Sequence, residues 1–189
     1  MTLAPKESAE LEFVNILKSK HARYIDGTRV VDADAVADTY VPPGAAFGKI
    51  DNSGQYGPVT RDVVAVAGAI ATANTIPLKN LNAVDWHNWQ VGDEIICDPG
   101  ETNEETATIN AIDEATGELT VDGIITAHAE DVVIQKNDGS STAKFICLEL
   151  ADVSEEDALV GGIEHGAIYS GRMPNFDATV ATDLSQISF

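Results

Sequence analysis

Apolar residues recur along the chain in short alternating runs broken by turn chemistry, and that rhythm predicts a mainly β protein with short helices. The alternation is clearest over residues 106–121, where β-branched arms flank a turn containing Gly117 and read as a hairpin. Further strands are predicted at 21–24, 29–31, 45–50, 55–59, 75–78, 94–97, 131–135, 144–150 and 161–169. Asp26-Gly27 suits a tight turn, so the first two of these are expected to pair with each other. The run 144–150 is almost continuously apolar and predicts a strand buried on both faces. Val41-Pro42-Pro43-Gly44 must be a loop, because two prolines cannot join a central ladder. Helical spacing occurs at 8–20, where Leu11, Val14 and Leu17 recur and Phe13 and Ile16 blur the face, and a helical turn or two fits 177–184.

Charge divides the chain. Eleven Lys and Arg stand against 31 Asp and Glu, a net charge of −20. Residues 71–139 hold 2 basic and 14 acidic residues, net −12, and the remainder holds 9 and 17, net −8. With its own strand series, the acidic stretch 67–139 reads as a small β-barrel or sandwich inserted into a host β domain formed by 21–66 and 140–189. Residues 1–20 are left as an N-terminal arm or short helix. Up to Arg29 the chain is net +1, with Lys6, Lys18, Lys20, Arg23 and Arg29. Basic and apolar groups together there (Leu11, Phe13, Val14, Leu17, Lys18, Lys20, Arg23) make it the candidate docking segment, the alternative being a helix packed on its own domain. The overall charge repels phosphate backbones and anionic bilayers, so neither nucleic acid nor membrane is an expected partner. No apolar run approaches the roughly 20 residues of a membrane span, and the start carries no export-signal pattern.

Catalytic chemistry finds little support in the sequence. Cys97 and Cys147 sit in apolar runs and read as buried hydrophobes. His21, His87, His128 and His165 show no zinc-hydrolase spacing, and there is no GxSxG elbow or phosphate-binding glycine loop. Asp32, Asp34 and Asp38, or Asp98, Glu101, Glu104 and Glu105, could gather calcium through oxygen ligands, but without the EF-hand pattern they read as screened surface acids. No enzyme activity, cofactor or resident metal is therefore expected. Trp86, His87 and Trp89 form an aromatic cluster that would suit glycan stacking if exposed, and core packing otherwise.

Three stretches carry a family likeness. Tyr40-Val-Pro-Pro-Gly-Ala-Ala-Phe-Gly-Lys-Ile-Asp-Asn-Ser-Gly-Gln-Tyr-Gly-Pro-Val, with Pro43, Gly44, Gly48, Tyr56, Gly57 and Pro58, resembles the head decoration (capsid cement) proteins of tailed bacteriophages. Phe145-Ile-Cys-Leu-Glu-Leu-Ala-Asp-Val is similar to that family's strand running into an acidic loop, and Gly162-Ile-Glu-His-Gly-Ala-Ile-Tyr-Ser-Gly-Arg-Met-Pro to its closing strand and turn. The middle segment, with Trp89-Gln-Val-Gly-Asp-Glu-Ile, resembles the small barrel modules of phage structural proteins, an insertion that simpler family members lack. The resemblance implies a virion protein, made in the host cytoplasm, that binds the outer surface of the major capsid protein lattice, often as homotrimers, and stabilises the head. The competing expectation is a head-fibre or adhesin-like module recognising a host-surface glycan or protein.

Overall fold

The computed structural model of the chain describes residues 16–18, 21–65, 74–82, 86–122, 128–174 and 176–189. The protein is mainly β. Its first sheet draws on both ends of the chain: β1 (Arg23–Tyr24), β2 (Arg29–Val31), β4 (Ala46–Lys49), β5 (Tyr56–Pro58), β12 (Ala143–Cys147), β14 (Ala158–Val160), β15 (Gly162–Ala167) and β16 (Ile187–Ser188). They lie in the order β1-β15-β12-β4-β5-β2-β14, with β16 parallel to the far end of β15. A short ribbon pairs β3 (Tyr40–Val41) with β13 (Ala151–Asp152). Helix α1 (Ala178–Asp183) starts where the Asp177 carboxylate accepts from Val180 N, a side-chain cap satisfying an otherwise orphan N–H.

The sheet is buried on both sides. One face packs Ile16, Ile146, Ile163, Ile168, Val180 and Leu184 under α1, and the other packs Val31, Val41, Phe47, Phe145, Cys147 and Val160 under the β3–β13 ribbon. β12 contributes to both, so its near-continuous apolar run follows from its central place.

The second sheet holds β6 (Arg61–Val63), β7 (Thr75–Pro77), β8 (Glu94–Cys97), β9 (Glu105–Asp113), β10 (Glu118–Val121) and β11 (Val133–Lys136), in the order β6-β11-β8-β9-β10-β7. It curls until its edges meet. Val64 bridges Leu78, Ala65 N donates to Pro77 O at 2.8 Å, and Lys79 N donates to Val63 O at 3.0 Å. Closure removes the free edges, and alternate residues turn inward to make the barrel's own core of Ile76, Trp89, Ile95, Ile109, Leu119 and Ile134. The long β9–β10 hairpin turns at Gly117, which holds φ +75, a left-handed conformation that glycine adopts without steric cost.

Three sequence expectations need correction. β1 pairs with β15 and β2 with β5 and β14, and from Arg23 to Val31 the chain runs on in one sense, antiparallel first to β15 and then to β14, so Asp26-Gly27 neither builds a hairpin nor reverses the chain. The barrel's strands begin at Arg61, within the 21–66 stretch assigned to the host domain. Residues 16–18 continue no helix: Leu17 bridges Ile168, Lys18 N donates to Ala167 O at 2.8 Å, and Tyr169 N donates to Ile16 O at 2.9 Å. The rest of the 8–20 helix, apart from these three residues, lies outside the described residues.

Candidate functional site

The two sheets are joined where the chain crosses from β5 to β6 and back from β11 to β12. The crossings touch, since Lys136 N donates to Thr60 O at 3.1 Å. Each carries a nearly buried cation. Arg61, with a side chain only 6% exposed, reaches from the barrel to the body, Nε 3.2 Å from Asp177 and Nη2 3.4 Å from Asp183. Lys136 Nζ lies 2.8 Å from Asp93 and 3.8 Å from Asp138. Burial pushes the Asp93 carboxyl above its ordinary range against the pull of Lys136, and burial likewise raises Asp62 against hydrogen bonds from Val63 and Asn80. Burying such charges is costly unless each is paired, and here each cation has a partner of opposite charge, with Arg61 hydrogen-bonded through Nη2 and its Nε held by the ion pair alone.

Residues 86–90 lace the joint from the other side. Trp86 packs against the body core, Trp89 is buried in the barrel core, and Asn88 between them is fully committed. Its Nδ2 donates to Ala35 O at 2.9 Å and Thr60 Oγ1 at 3.1 Å, and its Oδ1 accepts from Ala37 N at 2.8 Å. His87 accepts from Trp89 N and meets Glu114 at 3.2 Å. The aromatic cluster is thus a fastening across the joint, and buried Trp89 offers no face for stacking on a sugar. A cleft of about 550 Å³ opens beside it between the barrel and the C-terminal segment, lined by Arg61, Asp62, Asn80, His87, Phe176 and Asp177. Arg61, Asp62, His87 and Asp177 are already engaged with protein partners, so the cleft's polar groups serve the joint.

The other sequence candidates fall into place individually. Burial lifts the Cys97 thiol to about 12 and the Cys147 thiol to about 11, which leaves both protonated and unreactive at neutral pH. Asp32 caps the turn at Asp34 N, Glu104 accepts from Gly100 N, and among the described residues no three His, Cys, Asp or Glu side chains converge on a metal position. No described helix is long and apolar enough to cross a membrane.

The resemblance residues come together in one place. Gly48 pairs with Gly57, Phe47 with Pro58, and Lys49 with Tyr56 across β4 and β5. Phe47 stacks on Phe145 of β12 at 5.3 Å, and Tyr56 meets the same ring edge-on. Gly44, at φ +90 after Pro43, lies so near Arg172 and Met173 that an added Cβ would stand 3.2 Å from the Arg172 carbonyl oxygen. Of the docking candidates, Leu17, Lys18 and Arg23 line the outer side of β15, while Leu11, Phe13, Val14 and Lys20 lie outside the described residues. Sequence reasoning missed Arg61, Asn88 and Lys136 at the joint, whose partners are distant in the chain. It also assigns no role of their own to Tyr169 and Arg172, which lie within the third of the resembling stretches.

No protein-family model matches the chain, and no curated protein sequence matches it.

Proposed function

We propose that the chain is a non-enzymatic structural protein of a tailed-phage virion that binds the outer surface of the major capsid protein lattice and stabilises the head, as homotrimers. One observation carries the reading: the three separated stretches that resemble head decoration proteins form four successive strands, β15-β12-β4-β5, at the centre of one sheet. Likenesses arising from chance composition have no reason to assemble into one contiguous unit. The polar groups at the joint hold the two sheets to each other, a role that requires no substrate. A ligand that binds only the mature lattice stabilises it by mass action, and rigid two-part mounting suits such a ligand. The barrel, held at both crossings, would then project from the lattice in a fixed orientation.

Sedimentation of the purified protein with DNA-filled heads, of the phage whose genome encodes it, tests the reading. Saturable binding in multiples of three per lattice site, with heads more resistant to heat, is the expected result. Absence of co-sedimentation overturns it.

A further inference from the structure

The outer side of β15 gathers positive charge that the sequence scatters. Residues 16–18 and 21–25 run along it from the bridge Leu17–Ile168 to the pair Tyr24–Ile163, six residues of β15 and its extension, or about 20 Å. At one end Lys18 Nζ lies 5.6 Å from the centre of the Tyr169 ring and the Arg172 guanidinium 4.5 Å from it. At the other end Arg23 meets Glu164 at 3.1 Å, with side chains 71% and 40% exposed, beside a groove that His165, Asp183 and Lys144 of the inner neighbour β12 also line. Three of the chain's eleven Lys and Arg residues, Lys18, Arg23 and Arg172, thus stand on one rim of a protein of net charge −20. Tyr24, 57% exposed, and Tyr169, 41% exposed, stand on the same rim.

We infer that this rim is a docking surface for a carboxylate-rich surface of another protein. Exposed tyrosine and arginine on one strip match the composition of protein interfaces, where these residues supply contact area and bidentate recognition of carboxylates. An extended polyanion is the poorer fit. Duplex DNA carries a charge about every 1.7 Å, so a strand seated on a 20 Å rim would continue over the acidic body and be repelled there. A protein partner places its few carboxylates opposite the rim and nowhere else. The inference rests on the proposed head-binding role only for the partner's identity, a carboxylate-bearing part of the capsid lattice.

Two experiments decide it. In the first, the full chain is titrated with a capped hexaglutamate peptide and followed by NMR at about 0.05 M salt. Shifts centred on Lys18, Tyr169, Arg172 and Arg23, abolished at about 0.5 M salt, are expected. Shifts absent or centred elsewhere overturn the inference, as does tighter rim binding by a DNA duplex or by phosphatidylserine vesicles. In the second, Lys18→Glu with Arg172→Glu is compared with Lys49→Glu, an exposed lysine on β4 outside the rim, for binding to DNA-filled heads. The rim variant should bind roughly tenfold more weakly and the control as well as the parent; equal binding overturns the inference. Heads that fail to bind even the parent sink the proposed function, and the peptide titration then still decides the rim.

Discussion

Arg61 at the start of the barrel and Asp183 at the end of α1 meet at 3.4 Å across the joint, although 122 residues separate them. Asp183 also accepts from Ala143 N at 2.9 Å, where the returning chain enters β12. One carboxylate therefore ties the outgoing crossing, the returning crossing and the C-terminal helix together.

Truncating Arg61 should expose that dependence. Arg61→Ala leaves Asp183 and Asp177 facing each other without a cation, and breaking a buried pair from one side costs about 3–5 kcal/mol. Asp177 is a third exposed, so water screens part of the loss and the lower end of that range is expected. Calorimetry should show one unfolding transition for the parent and two for Arg61→Ala as barrel and body uncouple. An unchanged single transition would show that the ion pairs do not fasten the joint.

Gly48 is a second fixed point, for a different reason. A Cβ there would stand 1.9 Å from the Ser140 carbonyl oxygen and 2.6 Å from that of Thr142, both backbone atoms that cannot step aside. Gly27 and Gly100 have open space around them and positive φ. Gly48→Ala should therefore prevent the body from folding, whereas Gly27→Ala and Gly100→Ala should each cost about 1 kcal/mol, read from urea unfolding midpoints. Comparable midpoints for all three would contradict the steric argument.

These two cases show what the sequence makes legible. The β9–β10 hairpin is readable because its partners are neighbours and its turn residue, Gly117, is local. The strand character of β12 is readable because burial on two faces leaves an unbroken apolar run. Pairing of β1 and β2 is misread because Asp26-Gly27 suits a reversal that the chain does not make: β1 and β2 run on in one sense against β15 and β14, partners more than 120 residues away that no local signal names. The helical spacing of Leu11, Val14 and Leu17 is equally local, and at 16–18 the hydrogen bonds to Ala167 and Tyr169 override it. The joint escapes altogether, since Arg61, Asn88 and Lys136 acquire meaning only when Asp183, Ala35 and Asp93 are brought to them.

The buried thiols set an alkaline limit on stability. Burial raises Cys97 from an ordinary 9.0 to about 12 and Cys147 from 9.0 to about 11. The unfolded chain releases these protons first, so the stability that they confer is full below 9.0 and is lost as pH rises toward the folded values. Replacing Cys97 with Val keeps the volume apolar and removes one titrating group. Melting temperatures measured between about pH 8 and about pH 11 should fall less steeply for Cys97→Val than for the parent. Parallel slopes would mean that the thiol is not protected in the folded state.

Because the crossings touch at Thr60 and Lys136, the barrel should be removable. Its strands close on themselves through Val64 and Leu78, and its core shares no cluster with either face of the first sheet. Thr60 O and Lys136 N lie 3.1 Å apart, so deleting 61–136 and joining Thr60 to Asn137 through a short Gly-Ser linker spans the gap without pulling β5 from β4 or β12 from its neighbours. The deletion also removes Arg61 and Asn88, which leaves Asp177 and Asp183 without their cation and Ala35 O and Ala37 N without their partner. The remainder should accordingly fold with its β content intact by circular dichroism and melt at a lower temperature than the parent. Adding salt should recover part of the difference, because it screens the Asp177–Asp183 repulsion. An unfolded remainder would show that the first sheet depends on the barrel, and that the two closed cores form one cooperative unit.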